Sequence, residues 1–164
     1  MTEPTFRIEE YGAHHLDAIV ELSLRAWAPV FPEIEKSLEP TVYQAFYPEG
    51  WRVSQRKAVE DVCNSGEARV WVALDAATVI GFIALKFQPA AELGEIYMIA
   101  VDPEHQRRGA GAALTRFAIQ QLKAAGVSIA MVETGSDPGH APARRAYQRA
   151  GFSLMPVSRY FMKL

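Results

Sequence analysis

The chain has 164 residues, 49% of them hydrophobic and 22% charged, which is typical of one globular domain spanning residues 1–164. A single cysteine, Cys63, excludes an internal disulfide, and the lack of a Cys/His cluster at ligand spacing argues against a bound metal. The net charge of −2 and the pI near 6.1 argue against nucleic acid as a partner. The sequence has neither an apolar run of membrane length nor a signal peptide, which predicts a cytoplasmic protein with no membrane contact.

The first half of the chain predicts one strand, a group of helices and a hairpin. Alternating residues predict the first strand, and apolar residues at helical spacing predict the helix that follows. Four prolines interrupt the next stretch: Pro29, Pro32, Pro40 and Pro48. The predicted elements are a strand over 5–10, helices over 14–27, around 38–47 and over 51–64, and a hairpin of strands 68–74 and 78–87.

The second half of the chain alternates strands with helices, which predicts a mixed α/β fold. Gly126 and Gly151 each follow a helical pattern and are placed to end the helix. The predicted elements are strands over 95–101 and 127–134, helices over 109–125 and 141–150, and a terminal hairpin of 152–155 and 158–164.

The most informative stretch joins the strand ending at Val101 to the next helix through Gln106, two arginines, Gly109 and Gly111. The first amides of a helix lack intrahelical partners and lie at the positive end of the helix dipole, so they bind phosphate well. Glycine lets the main chain approach closely, and neighbouring arginines add donors. Because the stretch matches neither a P-loop nor a dinucleotide fingerprint, it predicts an anion site of another kind.

The charge of the chain is unevenly distributed along its length. Residues 1–104 hold 8 Lys and Arg against 17 Asp and Glu, a charge of −9, and residues 105–164 hold 9 against 2, a charge of +7. The basic part suits a polyanionic cofactor and the acidic part a cationic acceptor. The alternative is that the two parts neutralise each other in the fold.

The stretch from Gln106 to Gly111 resembles the Gln/Arg-x-x-Gly-x-Gly/Ala motif of the GCN5-related N-acetyltransferase (GNAT) superfamily. The stretch from Ala143 to Phe152 resembles a second signature of that superfamily, Ala-x-x-x-Tyr-x-x-x-Gly-Phe. The resemblance is specific over about residues 79–152. It implies an α/β fold with a twisted, mostly antiparallel sheet of about seven strands, splayed central parallel strands and about four helices. It also implies acetyl-coenzyme A as co-substrate, with no metal.

The resemblance further implies where acetyl-coenzyme A binds. Its pantetheine arm pairs with the main chain at Ile99 and Val101, and its pyrophosphate takes the amides after Gln106. The implied residues are Ile99, Ala100, Val101, Gln106, Arg107, Arg108, Gly109, Ala110, Gly111, Ala112, His140, Ala143, Arg144 and Tyr147. The superfamily commonly has Asn where this chain has His140, which either replaces the hydrogen bonds of that Asn, titrates near neutral pH, or caps the following helix.

Two residues are candidates for proton transfer. By resemblance, Tyr147 protonates the departing thiolate, whereas its helical spacing alone indicates a core aromatic. Glu95 precedes Gln106 by 11 residues (106 minus 95), the offset of the catalytic glutamate in the histone-acetyltransferase branch, and is the candidate base. Its alternatives are a strand-end carboxylate in solvent and an acceptor-binding anion. Second-tier acceptor contacts are Tyr97, Glu133 and Thr134.

The proline-interrupted stretch is the expected acceptor region because it combines aromatic and acidic residues. Aromatic walls with nearby carboxylates suit an amine, although core packing of the aromatics with the glutamates in solvent explains the composition equally well. These residues are Trp27, Phe31, Tyr43, Phe46, Tyr47 and Trp51, with Glu33, Glu35, Glu39 and Glu49.

The leading hypothesis is an N-acetyltransferase that moves an acetyl group to a small-molecule or peptide amine by direct attack. The rival is an acyl-coenzyme A binding or sensor domain without turnover. Transfer to a hydroxyl, or of a longer acyl group, stays open. The sequence leaves the choice between monomer and homodimer undecided.

Overall fold

The computed structural model describes residues 6–164. Five strands are found in this range: β1 (Phe6–Glu10), β2 (Arg69–Asp75), β3 (Thr78–Gln88), β4 (Leu93–Val101) and β5 (Ile129–Val132). Six α-helices accompany them: α1 (Leu16–Trp27), α2 (Phe31–Ser37), α3 (Pro40–Phe46), α4 (Trp51–Asn64), α5 (Ala110–Ala124) and α6 (Ala141–Arg149). Single 3₁₀ turns lie at Ala13–His15, Pro89–Ala91, Pro103–His105 and Pro138–His140. None of the helices in the described range is long and apolar enough to cross a membrane.

The strands form one mixed sheet in the order β1-β2-β3-β4-β5. The first three pairings are antiparallel, whereas β4 and β5 are parallel because α5 carries the chain back across the sheet. The parallel pairing begins at Leu93 with Ile129 and ends at Ile96 with Val132. Beyond Ile96, β4 continues to Val101 alongside β3 alone. The sheet therefore opens between β4 and β5.

Helices cover both faces of the sheet and make two apolar cores. On one face α1 and α4 pack on the sheet around Ile19, Val59 and Phe82. On the other face α5 packs through Leu114 and Leu122. This sandwich fixes β4, the strand that carries the candidate residues, between the two cores.

A bulge in β4 changes which face its side chains take. Leu85 pairs with Ile96 but Ala84 pairs with Met98, so Tyr97 is the extra residue. Ile96 lies in the α5 core, while Met98 packs against the core formed with α1 and α4. A bulge of this kind often re-aims a side chain beside a functional site.

The helices differ from the sequence prediction chiefly in the proline-interrupted stretch. Pro32 and Pro40 do not break helices there, because each lies in the first turn of one, where a missing amide costs nothing. The helix α2 is therefore an element that the sequence prediction omitted. The helix α4 has the predicted bounds, 51–64.

The predicted terminal hairpin is wrong. Residues 153–164 form neither helix nor strand, and they are exposed throughout. Pro156 lies between the two predicted strands and has no amide hydrogen to donate to a strand pairing. The described chain therefore has five strands and six helices rather than about seven and about four, and β5 is an edge strand rather than a central one.

Candidate active site

The start of α5 carries the predicted anion site. Arg107 and Gly109 both have left-handed backbone, with φ of +60° and +90°. Gly109 is the N-cap residue, and no side chain in the described chain caps the helix. The first helical hydrogen bond is donated by the Ala113 amide to the Gly109 carbonyl at 2.9 Å. The amides of the first helical turn therefore have no hydrogen-bond acceptor within the helix itself.

Two polar side chains shape the loop between β4 and α5. Gln106 Nε2 donates to the Val101 carbonyl at 3.0 Å and closes the loop onto the end of β4. Asp102 is buried, accepts the Glu104 amide at 3.0 Å, and pairs with Arg25 of α1. Burial by itself raises the pKa of Asp102, but the Arg25 guanidinium and the Glu104 amide outweigh it and hold that pKa below its ordinary value. The loop is thus anchored to the body of the protein at both ends.

The open edge of β4 leads directly into this loop. Residues 98–101 pair with β3 on one side and with no strand of the described chain on the other. Ile99 and Val101, the two positions implied to pair with a pantetheine arm, lie on this edge. An open strand edge accepts an extended ligand by main-chain hydrogen bonds.

Glu95 lies on β4 among other charged groups. Lys86 is its direct cross-strand partner on β3, and the Lys86 ammonium lies 3.7 Å from the centre of the Tyr97 ring. Burial raises the pKa of Glu95; the Lys86 charge lowers it and the Glu133 carboxylate raises it, and the net effect is upward. An upward shift makes a carboxylate a better proton acceptor near neutral pH.

Tyr147 lies on α6 and is largely buried. Its ring packs edge-on against Phe152, with ring centres 6.0 Å apart at 70°. Burial raises the pKa of the Tyr147 hydroxyl to about 12, so the phenol stays protonated across the physiological range.

The loop between β5 and α6 contains a carboxylate–imidazole pair. His140 Nδ1 lies 2.6 Å from Asp137 Oδ2, and the His140 amide donates to Asp137 Oδ1 at 3.2 Å. Arg144 donates to the Gly135 carbonyl at 2.6 Å and the Asp137 carbonyl at 2.8 Å, which ties the loop to α6. His140 occupies the N-cap position of α6, but its side chain makes no capping bond. Of the three interpretations of His140, side-chain capping is therefore wrong.

The aromatic stretch packs largely on itself. Phe31 is buried and stacks on Trp51 with ring centres 4.4 Å apart, and it meets Tyr47 edge-on at 5.3 Å. Gly139 lies against the turn before α2, where an added Cβ would be 3.0 Å from Val30 Cα. The β5–α6 loop therefore packs closely against the turn that precedes the aromatic cluster.

Three of the four glutamates in that stretch have structural partners. Glu33 pairs with Lys36 at 2.6 Å, and Glu49 pairs with Lys57 at 3.3 Å. Glu39 caps α3 by accepting the amides of Thr41 and Val42. Core packing of Phe31 and these pairings favour the structural interpretation of the stretch.

Sequence reasoning missed three residues that now adjoin the candidate set. Lys86 lies opposite Glu95, Asp137 holds the ring of His140, and Arg25 pairs with Asp102. Lys86 could have been found from the antiparallel pairing of β3 with β4, because that pairing determines which residue faces the Glu95 carboxylate. No local pattern identifies Arg25, which lies 77 residues from its partner.

Two other features of the described residues concern the site. An open groove of about 660 Å³ lies beside β1, α1 and residues 102–105, and neither Glu95 nor Tyr147 lines it. No group of three or more His, Cys, Asp or Glu residues in the described range is arranged to hold a metal ion.

Comparison with known sequences matches residues 33–152 to the model of the acetyltransferase (GNAT) family. The mycothiol acetyltransferase of Actinosynnema mirum is 33% identical over 111 residues, which cover 63% of this chain and 36% of that protein. The chain spans only 19% to 40% of the length of the mycothiol acetyltransferases it matches.

Solved structures share the fold at low sequence identity. The PaiA N-acetyltransferase of Thermoplasma acidophilum, in complex with coenzyme A, has a TM-score of 0.68 and 16% identity, covering 96% of this chain and 94% of that one. The aminoglycoside acetyltransferase meta-AAC0020 from an uncultured soil metagenomic sample, in complex with sisomicin, has a TM-score of 0.64 and 19% identity, covering 98% and 97%.

Proposed function

The chain belongs to the acetyltransferase (GNAT) family, and on that premise we propose that it is an N-acetyltransferase that moves an acetyl group from acetyl-coenzyme A to a primary amine by direct attack. One observation carries the proposal. In the described chain, the open edge of β4 leads through the loop closed by Gln106 to a helix start that no side chain caps. A strand-like arm and an anionic group of one ligand therefore have adjoining binding sites.

The residues present fit acetyl-coenzyme A. Gly109 and Arg107 adopt left-handed backbone that brings main chain rather than side chain to the helix start, and α5 has no capping side chain of its own within the described range. In this proposal the amides of Ala110, Gly111 and Ala112 hold the pyrophosphate, with the Arg107 and Arg108 side chains adding charge. Ile99, Ala100 and Val101 hold the pantetheine arm, and Gln106 maintains the loop.

In this proposal, β4 and the start of α5 form one side of the cofactor site, and α6 with its preceding loop forms the other side. His140, Ala143, Arg144 and Tyr147 share this part of the chain, and two bonds from Arg144 hold the loop in place. In this proposal His140 replaces the hydrogen bonds of the more common Asn through Nε2, since Nδ1 is already engaged by Asp137.

Acetyl-coenzyme A supplies the acetyl group as a thioester. The chain supplies proton transfer: Glu95 takes the proton that the amine loses as the new C–N bond forms, and Tyr147 donates to the sulfur as the C–S bond breaks. The raised pKa of Glu95 supports the first role, and the protonated state of Tyr147 supports the second.

The acceptor amine is proposed as a class rather than as one compound. The name of the relatives makes the acceptors of mycothiol acetyltransferases the first compounds to test. Sisomicin, bound by a structural neighbour that is an aminoglycoside acetyltransferase, is the second. Tyr97, Glu133 and Thr134 are the proposed acceptor contacts at the strand ends. A hydroxyl acceptor or a longer acyl donor is tested in the same assay.

The test combines a substrate screen with a matched pair of variants. Pooled primary amines and peptide N-termini are incubated with acetyl-coenzyme A while free thiol is followed, and amine-dependent thiol release is expected. If none of the pools gives thiol release although calorimetry shows that coenzyme A binds, the result would favour the sensor alternative.

Gly111 gives the binding test. An added Cβ there lies 3.8 Å from Val101 Cγ2, an ordinary contact, so Gly111→Ala is expected to fold and bind coenzyme A. Gly111→Asp adds a negative charge beside the proposed pyrophosphate and is expected to abolish binding in calorimetry, with the circular dichroism spectrum unchanged. Equal affinity of the two variants would refute the phosphate site.

A further inference from the structure

Two glycines in the β5–α6 loop leave room for the pair formed by Asp137 and His140. An added Cβ at Gly135 would overlap Asp137 Oδ2 and lie 2.8 Å from His140 Nδ1. An added Cβ at Gly139 would lie 3.0 Å from Asp137 Oδ1. Neither glycine has a positive φ, so close approach rather than backbone conformation requires glycine at both positions. The loop is therefore built around this pair.

The pair determines which nitrogen of the imidazole is free. The Asp137 side chain is 7% exposed, and its Oδ2 lies 2.6 Å from His140 Nδ1. Burial by itself raises the pKa of Asp137, but the hydrogen bonds and the charge of His140 outweigh it and hold that pKa below its ordinary value. Asp137 is therefore an ionised acceptor at neutral pH, and Nδ1 is the nitrogen that donates to it. His140 Nε2 has no hydrogen-bond partner among the described residues.

The pair lies at the edge of the sheet where the proposed cofactor site is. The strands β4 and β5 are parallel, so the loops that follow them leave the sheet at the same edge, the region where open α/β sheets bind ligands. His140 is the N-cap residue of α6, and Tyr147 follows it by seven residues, or about two helical turns. Both residues therefore lie on one face of α6, about 10 Å apart along the helix axis.

Resting on the proposed function, we propose that Asp137 is a positioning residue for coenzyme A: it holds His140 with Nε2 as a hydrogen-bond acceptor toward an amide N–H of the pantetheine arm. The asparagine that is common at position 140 offers both a donor and an acceptor. A neutral imidazole whose Nδ1–H is held by Asp137 offers an acceptor only. The ligand group that faces His140 must therefore be a donor, and the amide N–H groups of the arm are donors of that kind.

Asp137→Asn tests the positioning role because the two side chains have the same shape. The new amide can still accept the main-chain amide of residue 140, but its NH₂ group donates to Nδ1 and so moves the imidazole proton to Nε2. An Nε2–H then faces the N–H of the ligand. We expect Asp137→Asn to weaken coenzyme A binding in calorimetry on the order of tenfold. Asp61→Asn, at an exposed position of α4, is the matched control and is expected to leave the affinity unchanged.

A double-mutant cycle separates positioning from a structural role in the loop. In the His140→Asn background the side chain at position 140 has no tautomer to fix, so adding Asp137→Asn is expected to change the affinity by less than about twofold. Asp137 also accepts the main-chain amide of His140 at 3.2 Å, and a purely structural role through that bond would act in both backgrounds. An equal loss of affinity in the two backgrounds would therefore overturn the proposal.

The pH dependence of binding gives a second readout. Histidine side chains change charge between about pH 5 and 8, and an imidazolium donates at Nε2 instead of accepting. The affinity of the wild-type chain for coenzyme A is therefore expected to fall over that range as the pH is lowered, and more steeply than that of His140→Asn. The other charged groups around the ring are present in both proteins, so the difference between the two profiles isolates His140. These groups are Asp137, Arg144 on α6, and Glu33, Glu35 and Lys36 on α2, which packs against the Pro138–His140 turn. Parallel profiles would contradict the proposal.

Two further measurements separate this proposal from the proposed function. Adenosine bisphosphate, the nucleotide half of coenzyme A, lacks the pantetheine arm, so its affinity is expected to be the same for the wild-type chain and Asp137→Asn. The nitrogen chemical shifts of the His140 ring, measured without coenzyme A, are expected to show Nδ1–H in the wild-type chain and Nε2–H in Asp137→Asn.

The outcomes that overturn the proposal differ from those that overturn the proposed function. If coenzyme A binds and Gly111→Asp abolishes binding while Asp137→Asn leaves it unchanged, the positioning role alone is wrong. A wild-type ring protonated at Nε2 and not at Nδ1 would overturn it as well. A wild-type chain that binds no coenzyme A would overturn both.

Discussion

Removing the Tyr147 hydroxyl tests the proposed proton donor most directly. Tyr147→Phe keeps the ring and its edge-on contact with Phe152. We therefore expect the melting temperature and the calorimetric affinity for coenzyme A to change little. Turnover is expected to fall.

The acidity of Tyr147 bears on the size of that fall. Burial raises the pKa of Tyr147 to about 12, whereas an ordinary thiol has a pKa of about 8.5. Complete proton transfer to a thiolate is then uphill by roughly 3.5 pKa units, or about 5 kcal/mol at 1.36 kcal/mol per unit. Tyr147 therefore regains a proton readily after donating, and its donation has to accompany cleavage of the C–S bond. We expect a loss in kcat on the order of 10²-fold, the lower end of the range for general acids.

The assay measures kcat and KM with an acceptor identified in the amine screen, under conditions where product release does not limit the rate. Tyr11→Phe is the control, since the Tyr11 hydroxyl donates to Asn64 at 3.3 Å on the β1 side of the fold. A Tyr147→Phe enzyme with normal turnover would refute the assignment and leave Tyr147 as a packing residue. A fall in turnover matched by an equal loss of folded protein would refute it too.

The other predictions concern three titrating groups. Glu95→Gln is expected to lower kcat/KM mainly below the pKa of the acceptor amine and to recover at high pH, and an equal loss at every pH would assign Glu95 to acceptor binding or structure. In the wild-type enzyme the acidic limb of the profile is expected above the ordinary Glu pKa, because burial raises the pKa of Glu95. The lowered pKa of Asp102 means that its pair with Arg25 stabilises the fold above the unfolded-state pKa of about 3.8 and loses that effect as pH falls through the lower folded-state value. Asp102→Asn should therefore reduce the free energy of unfolding at pH 7, and by progressively less as the pH falls below 3.8, as denaturant titrations would reveal. Burial raises the pKa of Cys63 to about 11, so thiol reagents should modify native protein at pH 8 far more slowly than unfolded protein, and equal rates would contradict that burial.

The sequence determined the elements whose signals are local. The helix α4 has the predicted bounds, and the hairpin of β2 and β3 was expected to within a residue because its apolar strands flank a short turn. The start of α5 after Gly109 was also readable, since a glycine followed by an apolar helical pattern depends on neighbouring residues only. Family membership followed from two such local motifs.

Tertiary structure decided what depends on partners distant in the chain. The apolar residues of 153–164 read as strands, yet a strand exists only where another strand supplies hydrogen bonds, and the described chain supplies none there. Burial and charge around Glu95 arise from β3 and the residue after β5, and the ring of His140 is directed by Asp137 rather than by the helix it precedes. Sequence alone thus supplied the candidate residues for the chemistry. Long-range packing decided their neighbours, the direction of their pKa shifts and which edge of the sheet stays open, because desolvation and strand pairing are properties of the assembled fold.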